Sequence, residues 1–135
     1  MRFFSLDLSD KSKELLQNFL DDCGGSLSSF RYYESRDFDA VKNHITSFLL
    51  YDGNLCVGYG HLDKDGDDVW LGICVKENYT GLGYGKIIMN NLTNSYDRDI
   101  LLSVDKNNKS AINLYEKYDF VVKTERADNY IMERK

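Results

Sequence analysis

Val75-Lys76-Glu77-Asn78-Tyr79-Thr80-Gly81-Leu82-Gly83-Tyr84-Gly85-Lys86-Ile87-Ile88 carries more information than any other stretch of this chain. A β-rich run, residues 69–75, leads into it. Glycines stand at 81, 83 and 85, and a helical pattern with Ile88, Leu92 and Tyr96 on one face follows at once. Glycine lets backbone approach a ligand closely, and the free N–H groups that open a helix attract phosphate. Strand, glycine loop and helix in that order read either as a tight connection or as a cradle for a pyrophosphate.

A second stretch weighs against the plain turn. After a short apolar strand, residues 100–104, the chain reads Asn108-Lys109-Ser110-Ala111-Ile112-Asn113-Leu114-Tyr115-Glu116-Lys117-Tyr118-Asp119-Phe120. Ala111, Leu114, Tyr115 and Tyr118 fall at i, i+3, i+4 and i+7 and share one face of a helix. In this order and at this separation, the two stretches resemble the GNAT superfamily of acyl-CoA-dependent N-acyltransferases. That family's loop pattern is Arg/Gln-x-x-Gly-x-Gly/Ala; here Gly83 and Gly85 match, and Thr80 stands where Arg or Gln is usual. Its later pattern is Asn-x-x-Ala-x-x-Leu-Tyr-x-x-x-Gly-Phe; here Asn108, Ala111, Leu114, Tyr115 and Phe120 match, and Asp119 replaces the glycine. The likeness is strong over residues 69–120 and agrees in element order elsewhere.

The resemblance implies an α/β (α+β) fold: a mixed, mostly antiparallel sheet of about six to seven strands flanked by about four helices, with a splayed central parallel pair. That pair would be residues 69–75 beside residues 100–104, joined by a right-handed helical crossover. The resemblance also implies that acetyl-CoA enters the splay. Its pantetheine arm would pair with backbone near Ile73 and Val75, and its pyrophosphate would rest on the loop formed by Tyr79, Thr80, Gly81, Leu82, Gly83, Tyr84, Gly85 and Lys86. Asn108 would either cap its helix or bond pantetheine, and the two roles are compatible. Tyr115 matches the family's tyrosine that protonates the departing thiolate, a task suited to a phenol whose pKa lies just above that of a thiol. The bland alternative for Tyr115 is a core residue.

Composition narrows the rest. At 135 residues the chain reads as one domain, residues 1–135, with ten tyrosines and seven phenylalanines as core material. No apolar run is long enough to span a bilayer, and residues 1–7 are too short and too polar for a signal peptide. Cys23, Cys56 and Cys74 are odd in number and lack metal-ligand spacing. Free thiols, a cytoplasmic location and no metal are the expectation. A net charge of −5 argues against a nucleic-acid surface. A homodimer stays open.

Along the chain, residues 2–8 read as a strand. A helix capped by Ser9 or Asp10 carries Leu15, Leu16, Phe19, Leu20 and Cys23 on one face. Residues 26–36 read as a loop with an extended piece at 30–33. Asp37 opens a short helix to about His44. Strands are expected at 47–51, 55–62, 69–75, 100–104, 120–124 and 130–134. The segment Asp63-Lys64-Asp65-Gly66-Asp67 faintly imitates a calcium loop but lacks the right glycine position and the distal Glu, so it reads as a hairpin turn. A dinucleotide fingerprint is rejected because position 86 is Lys and the preceding strands form an antiparallel meander.

The general base is not legible. No carboxylate stands on the 69–75 strand, which leaves His61 and then His44 as candidates, each with a structural role as its alternative. Arg31, Tyr32, Tyr59 and Trp70 are the candidate walls of an acceptor site. The expected activity is direct acetyl transfer from acetyl-CoA to a primary amine of a small molecule. An amino sugar, or a nucleotide-linked one, is the first choice, because the segment from Phe30 to Arg36 is aromatic and Arg-rich. The rivals are a non-catalytic acyl-CoA-binding module and a protein or peptide amine acetyltransferase.

Overall fold

A computed structural model of the chain describes residues 1–28, 30, 32–34 and 37–135. Strands β1 (Arg2–Ser5), β2 (His44–Asp52), β3 (Leu55–Asp65), β4 (Asp68–Val75), β5 (Ile100–Asp105), β6 (Val121–Glu125) and β7 (Asn129–Arg134) form one seven-stranded sheet in the order β1-β2-β3-β4-β5-β7-β6. Every neighbouring pair is antiparallel except β4 and β5. The α-helices among the described residues are α1 (Asp10–Asp21), α2 (Tyr84–Asn94) and α3 (Lys109–Glu116).

The two faces of the sheet bury different cores. On one side α2 and α3 cover Phe48, Leu50, Leu62, Leu71 and Leu102 with Ile88, Met89, Leu92 and Tyr115. On the other, α1 lays Leu16, Phe19 and Leu20 against Leu49 and Tyr59. Helix α2 lies close on β3 because Gly58 and Gly60 have no side chain. A Cβ on either would come within 2.7 Å of Ile88. Leu50 faces Gly58 while Tyr51 faces Cys56, so Val57 is the extra residue of a β-bulge that turns the strand end.

Local chemistry explains the ends of the helices. The Ser9 hydroxyl accepts the Ser12 N–H at 3.2 Å and caps α1. The expected helix over residues 37–44 is instead a 3-10 helix, Phe38–Asn43, with the Asp37 carboxylate accepting the Asp39 N–H at 3.0 Å. His44 opens β2 rather than closing that helix, since the β-branched Ile45 and Thr46 after it favour a strand. The extended piece expected at 30–33 is not found where the chain is described: Tyr32–Glu34 is a 3-10 turn.

Candidate active site

The joint between β4 and β5 creates the site. Only one residue pair registers across it, Trp70 with Leu101, at the start of both strands. Strand β5 keeps its full pairing with β7 on its far edge, and β4 keeps its pairing with β3 as far as Val75. The two strands therefore diverge beyond Trp70 and leave one edge of β4 open. The Lys76 N–H bonds the Val57 carbonyl of β3 at 3.0 Å. Strand alternation then turns the N–H groups of Ile73 and Val75 away from β3, toward the opening.

A cavity of about 560 Å³ occupies this divergence. Ile73, Cys74 and Val75 form one wall, and Ser103, Val104 and Asp105 form the facing wall. Tyr79, Thr80, Gly81, Gly83, Tyr84, Gly85 and Lys86 line one end, and Asn108, Ala111, Leu114 and Tyr115 close another side. Ser26 and Phe30 reach it from the α1 side of the sheet. Ser26, Cys74, Ser103 and Asp105 are lining residues that sequence reasoning did not select, while Phe30 belongs to the aromatic segment it offered for the acceptor. Alternation along β5, which puts Ser103 and Asp105 on one face, is the signal that could have found those two.

The glycine turn keeps its shape for two separate reasons. Gly81 and Gly83 have φ of +79° and +90°, in the left-handed region, and a Cβ on either would meet nothing within 4 Å. Gly83 is the N-cap of α2, so the first N–H groups of that helix emerge beside the cavity. Gly85 sits tightly, because a Cβ there would stand 3.0 Å from the end of the Leu114 side chain, which would have to give way slightly. Leu82 projects outward, 64 % exposed, and does not line the cavity. The Thr80 hydroxyl donates to the Glu77 carbonyl at 3.0 Å, which ties the turn down. Tyr84 anchors the same corner by donating to Asp52 at 2.6 Å.

Helix α3 delivers Asn108 and Tyr115. The Asn108 Oδ1 accepts the Ala111 N–H at 3.3 Å and caps the helix, while the residue also lines the cavity. At the other end the Phe120 N–H reaches back to the Tyr115 carbonyl and the Asp119 N–H to the Glu116 carbonyl, both at 3.2 Å. Asp119 has φ +70°, the conformation glycine would adopt, so the turn is a Schellman motif with Tyr115 and Phe120 in apolar contact. Tyr115 is buried, and burial followed by the nearby Cys74 raises its phenol pKa.

The α1 side of β4 carries an aromatic and polar cluster. Tyr33 and Tyr59 hydroxyls lie 2.7 Å apart, and the Tyr59 hydroxyl is 2.7 Å from His61 Nδ1. The Tyr32 ring lies tilted against the His61 ring with centroids 4.2 Å apart, and its hydroxyl donates to Asp63 at 2.9 Å and lies 2.7 Å from His44 Nε2. His61 is 2 % exposed, with its Nε2 edge against Gly72, where a Cβ would stand only 2.5 Å away. Burial pushes Tyr33 up to about 12 and Tyr59 well above its ordinary value. Phe30 joins the cluster to the cavity, 5.4 Å from Tyr59 and 6.2 Å from His61. Tyr32, Tyr59 and His61 thus stand behind Phe30 rather than on the cavity wall. Trp70 faces Asp63 where β4 and β5 still pair, also off the wall. Arg31 lies outside the described residues.

A sheet open at one parallel joint, with a glycine turn and a helix N-terminus at its mouth, is the architecture that the sequence resemblance implies. The sequence profile of the Acetyltransferase (GNAT) family matches residues 12–120, and the chain belongs to that family. Solved structures agree in fold. A spermidine N-acetyltransferase SpeG chimera from Vibrio cholerae and hSSAT is 15 % identical with a TM-score of 0.73, over 98 % of this chain and 95 % of that one. The ribosomal-protein-S18-alanine N-acetyltransferase of Escherichia coli is 17 % identical with a TM-score of 0.71, over 98 % and 92 %. The PaiA N-acetyltransferase of Thermoplasma acidophilum in complex with coenzyme A is 16 % identical with a TM-score of 0.72, over 100 % and 99 %. No curated protein matches the sequence significantly. Among the described residues no helix is long and apolar enough to cross a membrane.

Proposed function

We propose that this chain is an acetyl-CoA-dependent N-acetyltransferase acting on a primary amine of a small molecule. The observation that carries the proposal is the open β4 edge in a cavity bounded by the glycine turn and by Tyr115. The residues present suit the cofactor. Positive-φ glycines and the α2 N-terminus suit a pyrophosphate, with Lys86 adding charge, and the Ile73 and Val75 N–H groups suit an extended pantetheine arm. Acetyl-CoA bound there supplies an activated acyl group. A backbone N–H on β4 is positioned to stabilise negative charge on a carbonyl oxygen. Tyr115, protonated at neutral pH, is the proposed acid for the leaving thiolate.

His61 is the proposed base, through Nε2 or through the Tyr59–Tyr33 hydroxyl chain; Tyr32, His44 and Asp63 are the polar groups around it. The acceptor enters on the α1 side, where Phe30 and the tyrosines behind it offer flat apolar faces to a sugar ring. An amino sugar, free or nucleotide-linked, heads the candidates, and a cytoplasmic setting suits the free thiols.

The test is release of CoA thiol from acetyl-CoA across a panel of amino sugars, nucleotide-linked amino sugars, polyamines, amino acids and peptides. Turnover with a small amine is expected, with an acidic limb in its pH profile that His61→Ala removes. Turnover with peptides alone would replace the acceptor assignment. CoA binding without turnover on any amine would make the chain a binding module.

A further inference from the structure

The reaction proposed above uses none of the three thiols, and two of them meet. Cys23, just beyond α1, and Cys74, on β4, hold their sulfurs 3.8 Å apart across 51 residues of sequence. No disulfide joins them. The contact is braced from three directions. The Cys23 carbonyl accepts the Glu77 N–H at 3.0 Å, the Glu77 carboxylate accepts the Gly25 N–H at 3.0 Å, and Lys76 pairs with Asp22 at 3.0 Å. These bonds fasten the end of α1 to the segment after β4, so the two sulfurs face each other as part of the fold.

The pair is also asymmetric in access. Cys23 is fully buried. Cys74 is 4 % exposed and lies on the cavity wall between Ile73 and Val75. Of the two residues only Cys74 lines the cavity, so the cavity is the side from which a small solute would approach the pair.

We propose that Cys23 and Cys74 are a peroxide-oxidisable dithiol set into the cavity wall, and that an occupant of the cavity shields it. Closing the sulfurs from 3.8 Å to the bonded distance of about 2.05 Å takes less than about 2 Å of movement. The hydrogen bond from Cys74, aided by Lys76, lowers the Cys23 pKa; the same bond and burial raise that of Cys74. The first negative charge therefore falls on the Cys23 sulfur, and the remaining proton sits on Cys74 in the S–H···S contact.

The chemistry balances with hydrogen peroxide as oxidant. The Cys74 sulfur, its proton passed to Cys23, attacks one peroxide oxygen. The O–O bond breaks and hydroxide leaves, to become water with the proton the pair released on ionising. This yields a sulfenic acid on Cys74. The Cys23 sulfur then attacks the Cys74 sulfur, the S–O bond breaks, and a second water leaves with the Cys23 proton. The dithiol gives up two electrons, and one peroxide becomes two waters. A dithiol reductant reverses the product.

The shielding part rests on the acetyl-CoA reading, and the cross-link itself does not. The experiment treats the reduced chain with hydrogen peroxide, blocks remaining thiols, and maps unreduced peptides by mass. It is repeated with acetyl-CoA and no amine, since the thioester carries no free thiol. The expected result is a Cys23–Cys74 cross-linked peptide, lighter by two hydrogens, that dithiothreitol reopens. Its rate of formation should fall about tenfold at acetyl-CoA ten times above its Kd. In Cys23→Ser, a sulfenic-acid probe should label Cys74; if that variant does not fold, the wild-type peptide map decides alone.

Oxidation confined to Cys56, a cross-link between Cys23 and Cys56, or sulfinic acid without any cross-link would overturn the proposal. So would an unchanged cross-linking rate in a chain shown to bind acetyl-CoA. A reduced chain that binds no acetyl-CoA overturns the acetyl-CoA reading instead, and the peptide map still decides the dithiol.

Discussion

Tyr115 shows how one side chain serves two parts of the molecule. Its ring belongs to the α2 and α3 core, and its position on α3 brings it to the cavity wall. The core and acid readings that the sequence left open are compatible in space. Burial raises its pKa, so the phenol stays protonated through the neutral range and remains available as an acid. Tyr115→Phe keeps the ring and loses the proton. Its kcat should drop about 10²- to 10⁴-fold with little change in CoA affinity. Steady-state kinetics beside a CoA titration measures both, and wild-type turnover in the variant would return Tyr115 to a purely packing role. Asn108 is similar: its Oδ1 caps α3, and the same residue lines the cavity.

At the level of elements, glycines and caps were the legible part. The glycine loop, the Ser9 cap, and the strand and helix order could be read because each depends on residues close in sequence. What failed was also local. The 37–44 helix shrank to a 3-10 helix because the cap at Asp37 had no apolar stripe of adequate length behind it. Asp119 stands where the family has glycine, and the chain holds φ +70° there regardless, because the Schellman bonds and the Tyr115–Phe120 contact outweigh the strain. Asp119→Gly should therefore stabilise the fold by about 0.5–1 kcal/mol, the roughly 1–2 kcal/mol of left-handed strain less the entropy glycine adds to the unfolded chain. Urea unfolding reads this directly. A lower midpoint in the variant would mean that the Asp side chain contributes more than its backbone conformation costs.

Over the whole molecule, the site arises from a mismatch that no single segment encodes. Strand β5 stays paired with β7 on one edge and β4 with β3 on one edge, and beyond Trp70 and Leu101 their facing edges part and stay open. The family resemblance supplied this opening; periodicity could not, because divergence depends on partners far apart in sequence. The same holds for the acceptor side. Tyr33, Asp63 and His44 meet around Tyr32, Tyr59 and His61 only once β2, β3 and the 3-10 turn Tyr32–Glu34 are assembled.

The central claim is that the open joint and its glycine turn hold acetyl-CoA. Calorimetric titration of CoA into wild type and Gly83→Val tests it most directly. Valine at φ +90° is strained, and the turn that presents the α2 N-terminus must move. The account predicts one CoA site per chain in wild type and a large loss of affinity in the variant, with the fold retained by circular dichroism. No binding by wild type, or equal affinity in the two proteins, would contradict it.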